Sequence, residues 1–568
     1  MQKTWNFQES EEHLVDDLRL NLGISNIVAK LLLIRGIKNS KEAKNFFSPD
    51  ISFLHDPFLM KGMDLAVKRI ERGIRSEEKI LIYGDYDVDG TTSVSMMYSF
   101  LNRFSDNIGY YIPDRYEEGY GISFKGIDYA QLNNYTLIIS LDCGTRAIKQ
   151  VDYASNKAID FIICDHHTPG VNLPRSVALL NPKQIGCKYP YKELSGCGVG
   201  FKLIQAISQK QQIEFTEIAE YMDLLAVSIG ADIVHLTGEN RILAFYGMLI
   251  INKSPRPGLK AIIEHLEFKQ NISLSDVIFG VAPRINAAGR INHGEIAVKL
   301  LIEQDINHAR QLSKNIEIYN FERKQLDKKI TKEALSMVNI NKKSTVLYSK
   351  KWHKGVIGIV ASRVIEKHYK PTIILSESED ELVGSGRSVR GFNLYDALLH
   401  CEHLLEKFGG HKYAAGLTIK KSNLDAFINE FEKVVSKDIN EDQLSPQLDI
   451  HAEIAINQID YNLYNIIQKF APFGPKNPTP IFATYVQRGA SFVQKVGKDK
   501  SHLRMIIDNG EASISCIGFR MSEYIDKVIN EKDFYMAYSI EENIWKGKKS
   551  LQIKLLDLKT NAEFKNKD

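Results

Sequence analysis

Apolar residues near the start of the chain recur at spacings close to three or four. Leu14, Leu18, Leu20, Ile24, Val28, Leu31 and Leu32 follow this period, and Ser40 can cap a short helix before Phe46 and Phe47. Residues 1–75 are therefore expected to form an N-terminal helical segment. From residue 79 the pattern changes to short apolar runs: KILIY (79–83), IGYYI (108–112), TLIIS (136–140), DFIIC (160–164) and VALL (177–180). The stretches between them are long enough for helices. Strands alternating with helices predict a doubly wound parallel sheet.

Residues 306–338 contain neither Gly nor Pro, and Leu312, Ile316, Tyr319, Leu326, Ile330, Ala334 and Met337 fall near one helical stripe. The spacing predicts one long helix of roughly 50 Å, of the kind that joins domains. A second mixed region covers 344–437, with strands near 345–348, 372–375 and 415–419 and helices near 356–368 and 424–436. It carries the glycine-rich segments GVIG, GSGRS and GGHKYAAG. After SPQLDIHAEI come a helix around 461–469 and a series of strand-like runs. Asp508-Asn509-Gly510 between two of those runs is a hairpin signal, and the whole suggests a small, OB-fold-like β-barrel. The fold class is multidomain α/β. The expected boundaries are 1–75 (helical), 76–305 (parallel-sheet domain), 306–340 (connecting helix), 341–438 (smaller α/β domain) and 439–568 (β-barrel).

Composition narrows the class. A chain of 568 residues, 44% hydrophobic and 25% charged, is neither disordered nor fibrous. Its 73 Lys and Arg against 70 Asp and Glu exclude a polybasic tail protein but leave room for a basic groove beside an acidic site. The six cysteines are scattered without a CxxC, which reads as reduced, buried thiols. The start lacks a basic-then-apolar leader, and no apolar run approaches the ~18 residues that span a bilayer, so a cytoplasmic protein without membrane association is expected.

The candidate chemistry lies where three strands end. Parallel sheets carry their sites at the carboxyl ends of strands. The first strand runs into Asp85-Tyr86-Asp87-Val88-Asp89, the third into Asp142-Cys143-Gly144, and the fourth into Asp165-His166-His167. Each element alone is unspecific. Together they bring several carboxylates and two imidazoles to one edge with no Lys or Arg among them, a self-repelling cluster that divalent cations would neutralise. Mixed oxygen and imidazole donors suit Mn²⁺ or Mg²⁺ better than Zn²⁺, and the donor count is enough for a pair of ions that cleaves phosphate esters. In GSGRS, Ser385 and Arg387 read as a glycine-rich turn able to hold a phosphate through amides, a hydroxyl and a guanidinium fork. Arg115 in IPDRYEEGYG and Arg290 in NAAGR are further phosphate candidates. Trp545 and Lys546, with Lys548 and Lys549, combine a ring with cations as single-strand binding surfaces do, and Lys495, Lys498, Lys500 and Arg504 gather near another hairpin.

GDYDVDG, LDCG and DHH, in this order on these strand ends, resemble the DHH phosphoesterase superfamily. SIGADIVHLTGENRIL (228–243) is similar to that superfamily's fourth motif. VAPRINAAGR (281–290), KWHKGVIGIVASR (351–363), GSGRSVRGFNL (384–394), FGGHKYAAGLTI (408–419), NPTPIF (477–482) and NIWKGKKSLQIKLLD (543–557) resemble the RecJ family of single-strand-specific 5′→3′ DNA exonucleases. The resemblance implies Asp87, Asp89, Asp142, His166 and Asp232 as metal ligands, with Asp142 bridging two ions. It implies Asp85 and His167 as further ligands or as groups acting on the scissile phosphate, His411 facing that phosphate across a cleft, and a pocket for the terminal 5′-phosphate. Tyr83 stands where small pyrophosphatase-like members carry a ligand histidine, which Asp85 would compensate. The expected activity is two-metal hydrolysis of single-stranded DNA to 5′-mononucleotides in repair and recombination. The expected partners are single-stranded DNA, a single-strand-binding protein and a RecQ-type helicase, and the expected state is a monomer. Competing readings are a phosphodiesterase for short oligonucleotides or cyclic dinucleotides, which would lack the C-terminal barrel, and a non-catalytic scaffold, which would have lost its acids.

Overall fold

The computed structural model describes residues 3–267, 271–487, 489–508, 510, 512–531 and 533–565. The chain forms two compact units, one of Pro49–Asp438 with Pro472–Asn477 and one of Met1–Ser48, Ile439–Ala471 and Pro478–Asp568.

The larger unit opens on a five-stranded parallel sheet. Its elements are β1 (Lys79–Gly84), α1 (Val88–Leu101), β2 (Ile108–Tyr111), β3 (Tyr135–Leu141), β4 (Asp160–Cys164) and β5 (Ala178–Leu180), and the sheet order is β2-β1-β3-β4-β5. The apolar runs are continuous because helices cover both faces. Ile80 and Ile82 enter a core shared with Val94, Met97 and Phe201, while Leu81 and Tyr83 enter the opposite one with Ile127, Val151 and Phe161. Strand order reverses between β1 and β3, so their carboxyl ends frame the switch point at which such sheets hold ligands. Helices α2 (Gly196–Gln211), α3 (Met222–Ala231) and α4 (Ala282–Ile291) follow in the same unit.

One uninterrupted helix, α5 (Ile306–Met337), leaves this region. Its cap is the Asp305 side chain, which accepts from the His308 amide. At 1.5 Å per residue its 32 residues span roughly 48 Å. Ala309 and Ile316 pack into the core of the parallel sheet, whereas Ile330 and Ala334 pack with Leu347, Val360 and Ile374 in a second core. That core belongs to a mixed sheet built from β6 (Thr345–Ser349), α6 (Ile357–His368), β7 (Thr372–Ser378), β8 (Glu381–Arg387), β9 (Leu405–Gly410) and β10 (Ala414–Lys420), in the order β9-β10-β8-β7-β6. Here one expectation is corrected. GSGRS is not a turn: Ser385, Gly386 and Arg387 lie in β8, paired on one side with β7 and on the other with β10. The ladder occupies this backbone, leaving only the Ser385 and Arg387 side chains for a ligand.

The smaller unit joins the two ends of the chain. Thr4–Phe7 is a strand, not part of a helical run, and it pairs in parallel with Gln447–Ile450. Helices do cover Glu12–Leu22, Asn26–Ile34 and Ser40–Phe47. A seven-stranded sheet of the segments Ala452–Glu453, Phe482–Val486, Phe534–Trp545, Lys548–Thr560, Ser513–Gly518, His502–Asp508 and Ala490–Val496, in that spatial order, makes the OB-like body. The hairpin between His502–Asp508 and Ser513–Gly518 pairs Asp508 with Ser513; Asn509, on which its turn signal partly rested, lies outside the described residues. In the longest hairpin Trp545 pairs with Lys548 across Lys546-Gly547, whose φ angles of 50° and 80° make a tight left-handed turn. All six cysteines are unpaired. Among the described residues no helix is long and apolar enough to cross a membrane.

Candidate active site

The β1 carboxyl end supplies three acids, each held differently. Asp87 caps α1 by accepting from the Gly90 amide at 3.0 Å. Asp89, in the first turn of α1, accepts from the Gly196 and Cys197 amides at 2.7 and 2.8 Å and from Ser228 Oγ at 2.7 Å. The positive end of α2 is thus aimed at this carboxylate, which the Ser228 hydroxyl of α3 also reaches. Asp85 is fully buried, and neither of its oxygens has a hydrogen-bond partner. Burial first, then the Asp87 charge, push its carboxyl well above the usual range.

Asp142 follows β3 with φ of 60°, a left-handed backbone, and its Oδ1 is buried without a hydrogen bond. Asp232 follows α3. Burial and the charges of Asp89 and Asp87 raise both carboxyls well above their ordinary range. After β4, His166 Nε2 lies 3.2 Å from Asp142 Oδ1, 3.5 Å from Asp232 Oδ2 and 3.9 Å from Asp89 Oδ2. Neither ring nitrogen has a hydrogen-bond partner, and burial lowers the imidazole to about 4, so near neutral pH it is uncharged. A neutral imidazole and an Asp142 oxygen buried without hydrogen bonds, converging with the Asp89 and Asp232 carboxylates, are a donor set suited to a cation. Asp142, His166 and His167 offer one trio of donor atoms within 4.8 Å of one another, and Asp89, His166 and Asp232 offer a second. Among the described residues no Lys or Arg forms an ion pair with these acids. The residues present fit divalent cations.

Asp85 and Asp87 belong to neither trio, although both feel the cluster's charge. Tyr83 stays out of the cluster as well. Its hydroxyl donates to the Gly121 carbonyl at 3.0 Å, and its ring stacks on Tyr111. Asp165, although adjacent to the histidines, has a different job. It accepts from the amides of Thr145, His166 and His167 and from His167 Nδ1 at 2.7 Å. Burial works against its charge, but the His167 bond and charge outweigh burial and hold the carboxyl below its usual range. For His167, burial is again outweighed by the Asp165 bond and charge, pushing the ring up to about 9. The His411 ring, at the β9–β10 hairpin, lies 6.3 Å from the His167 ring and within 12° of parallel.

The basic residues gather beside this cluster. Arg387 Nη1 donates to Ser385 Oγ at 3.1 Å and to the Gly386 carbonyl at 2.8 Å. Gly358, in the first turn of α6, leaves room for them; a β-carbon there would stand 2.9 Å from Ser385 Oγ and 3.1 Å from Arg387 Nη2. Arg290 Nη1 donates to the Gly355 carbonyl at 2.9 Å, and Tyr116 donates to the Arg290 carbonyl. The Arg115 guanidinium lies 4.6 Å from the centre of the Tyr86 ring. Burial, then the charges of Arg115, Arg323 and Arg387, hold Arg290 down to about 9; burial and then Arg115 lower Arg387. Like charges are thus crowded together, as they are where an anion is to be bound. Trp545 and Lys546 belong to the smaller unit, at a hairpin tip where Trp545 is 70% exposed.

Sequence reading placed Asp165 among the strand-end acids but not its part in holding His167, and it missed three further residues. Ser228 sits in the SIGAD motif without a spacing that links it to Asp89. Tyr120, whose hydroxyl lies 3.1 Å from His167 Nε2, carries only the flanking glycines of EGYG as a hint. Arg323, on α5, has a buried Nε without a partner and no motif around it.

Residues 79–229 match the DHH family, N-terminal domain; residues 341–437 match the DHHA1 domain, and residues 450–557 the RecJ OB domain. The chain is 34% identical over 560 residues to the single-stranded-DNA-specific exonuclease RecJ of Bacillus subtilis (strain 168), covering 97% of this chain and 70% of that protein. The fold superposes on RecJ of Thermus thermophilus in complex with Mn²⁺ with a TM-score of 0.85 at 24% identity, covering 98% of this chain and 79% of that one. A crystal structure of exonuclease RecJ bound to manganese matches 69% of this chain and 98% of its own, at 30% identity and a TM-score of 0.60.

Proposed function

Because the chain belongs to the RecJ family of single-stranded-DNA-specific exonucleases, we propose that it degrades single-stranded DNA from the 5′ end with a pair of divalent cations, releasing 5′-mononucleotides. The observation that carries this reading is the meeting of two overlapping donor trios on His166, a buried imidazole with no hydrogen-bond partner.

Asp89, Asp142, His166 and Asp232 would hold the cations, with Asp87 and Asp85 completing the acidic wall. Manganese in the 30%-identical relative supports Mn²⁺, and the oxygen-rich donor set also suits Mg²⁺. Such a pair supplies a nucleophile at neutral pH and steadies the leaving oxygen. The chain does the rest. The Gly196 and Cys197 amides and Ser228 fix the Asp89 carboxylate, so that its orientation is set before any cation arrives. Asp165 fixes His167, whose ring lies nearly parallel to that of His411, and the two rings would flank the phosphate undergoing attack.

Polarity would come from the basic pocket. Arg115, Arg290, Ser385 and Arg387 are suited to a terminal phosphate, a dianionic group that an internal phosphodiester cannot imitate. Trp545 and Lys546 pair an exposed ring with a cation, which supports stacking and backbone tracking of a single strand. A DNA-degrading role supports action in cytoplasmic repair and recombination beside a single-strand-binding protein and a RecQ-type helicase, with the enzyme as a monomer.

The test is digestion of 5′- and 3′-labelled single strands beside a blunt duplex, with Mn²⁺, with Mg²⁺ and with chelator. The 5′ label should be lost first, as mononucleotide, only with metal and only from the single strand. Early loss of the 3′ label, or equal attack on duplex, would contradict the proposal.

A further inference from the structure

The geometry points to Tyr120 as a positioning residue for His167 and, through its exposed ring, as a seat for the base nearest the cut. The inference rests on the exonuclease reading given above and names a residue of that same site.

His167 is held at one end by Asp165, which takes Nδ1 at 2.7 Å. The other end would be free to pivot without Tyr120, whose hydroxyl lies 3.1 Å from Nε2. The same hydroxyl donates to the Asp142 carbonyl at 3.3 Å, so a single oxygen ties the ring after β4 to the backbone after β3. An imidazole bonded at both nitrogens has its rotation fixed.

The Tyr120 position is itself built by its loop. Gly119 and Gly121 flank it with φ of 83° and 84°, and a β-carbon at either would meet nothing within 4 Å. The glycines therefore serve backbone conformation, not close packing. Tyr83 anchors the loop through the Gly121 carbonyl. The centre of the Tyr120 ring lies 6.2 Å from that of Tyr86 and 5.9 Å from that of His167, with both ring pairs steeply inclined, yet the residue is 54% exposed. A tyrosine with its polar tip engaged inside and its ring turned to solvent beside a phosphate-cleaving cluster is suited to stacking on a base.

The hydroxyl and the ring separate in kinetics. Tyr120→Phe should lower kcat about 10-fold or more and leave KM for a 5′-phosphorylated oligonucleotide within about two-fold. Tyr120→Leu should show the same loss in kcat and, in addition, raise KM by about 5-fold or more. Histidine-labelled, metal-free protein provides a readout independent of turnover. The ¹⁵N resonances of His167, assigned through His167→Asn, should move in Tyr120→Phe while those of His451 stay. A wild-type kcat in Tyr120→Phe, or His167 resonances that superimpose on wild type, would overturn the positioning role. An unchanged KM in Tyr120→Leu would overturn the stacking role. Failure of the wild-type protein to digest a single strand would instead strike the exonuclease reading.

Discussion

Gly196 faces Asp142 so closely that a β-carbon on it would stand 2.6 Å from the aspartate Cβ and 2.7 Å from Oδ1. The amide of the same glycine donates to Asp89. Gly196→Ala should therefore push two carboxylates at once. Titration calorimetry with Mn²⁺ should show affinity reduced by about 10- to 100-fold, as for the loss of a ligand's supporting contact. Overpacking should destabilise the fold by only about 1–3 kcal/mol. An unchanged Mn²⁺ isotherm would refute this.

Asp142→Asn should act in opposite directions on stability and activity. Without metal, the buried Asp142 carboxyl is repelled by Asp89 and Asp87, so removing its charge should raise the melting temperature of the metal-free protein. The stabilisation that Mn²⁺ adds should shrink, and cleavage should fall by more than about 100-fold while single-strand binding persists. Melting scans with and without Mn²⁺, together with a gel-shift assay, would check all three.

Arg387→Ala should weaken recognition of the strand end more than chemistry. KM for a 5′-phosphorylated strand should rise by about 10-fold, and the preference for 5′-phosphate over 5′-hydroxyl should shrink by a similar factor. Equal losses on both strands would argue for a general structural defect.

His451 gives the smaller unit a pH dependence. Its Nδ1 accepts from the Ile481 amide at 3.0 Å, which requires that nitrogen to be unprotonated. Burial and the Arg35 charge lower the ring to about 4 from an ordinary 6.5. The unfolded chain thus binds the proton more readily, so the stabilisation is complete above pH 6.5 and is lost as pH falls toward 4. Integrated to pH 5, the loss is about 2 kcal/mol. Hydrogen exchange over residues 479–485 should show that loss between pH 7 and 5, corrected for intrinsic exchange rates. In His451→Asn, which keeps an acceptor but does not titrate, it should be absent.

The strands of the parallel sheet were legible because burial on both faces leaves uninterrupted apolar runs, and the acids that end them mark the catalytic edge. What no local pattern carries is which of those acids meet. Asp89 and Asp232 are brought to His166 by the strand order and by helices far along the chain. GSGRS misled for a related reason. Its glycines resemble a turn, yet a β-carbon at Gly384 would stand 2.6 Å from Leu375 and 2.9 Å from Leu417, and one at Gly386 would stand 2.8 Å from Leu394. They are small because the sheet is tightly covered, a requirement set by residues distant in sequence. Thr4–Phe7 was invisible as a strand because four residues have no periodicity, and their partner lies more than 400 positions away.

That last pairing also sets a timetable for the newborn chain. Thr4–Phe7 is synthesised about 440 residues before its partner Gln447–Ile450. At about 5–20 residues per second, the wait is roughly 20–90 s. During that interval nearly all of the catalytic unit, contiguous from Pro49 to Asp438, is synthesised and free to fold. Thr4–Phe7 meanwhile remains an unsatisfied edge, so this pairing of the smaller unit closes only after nearly all of the catalytic unit has been made.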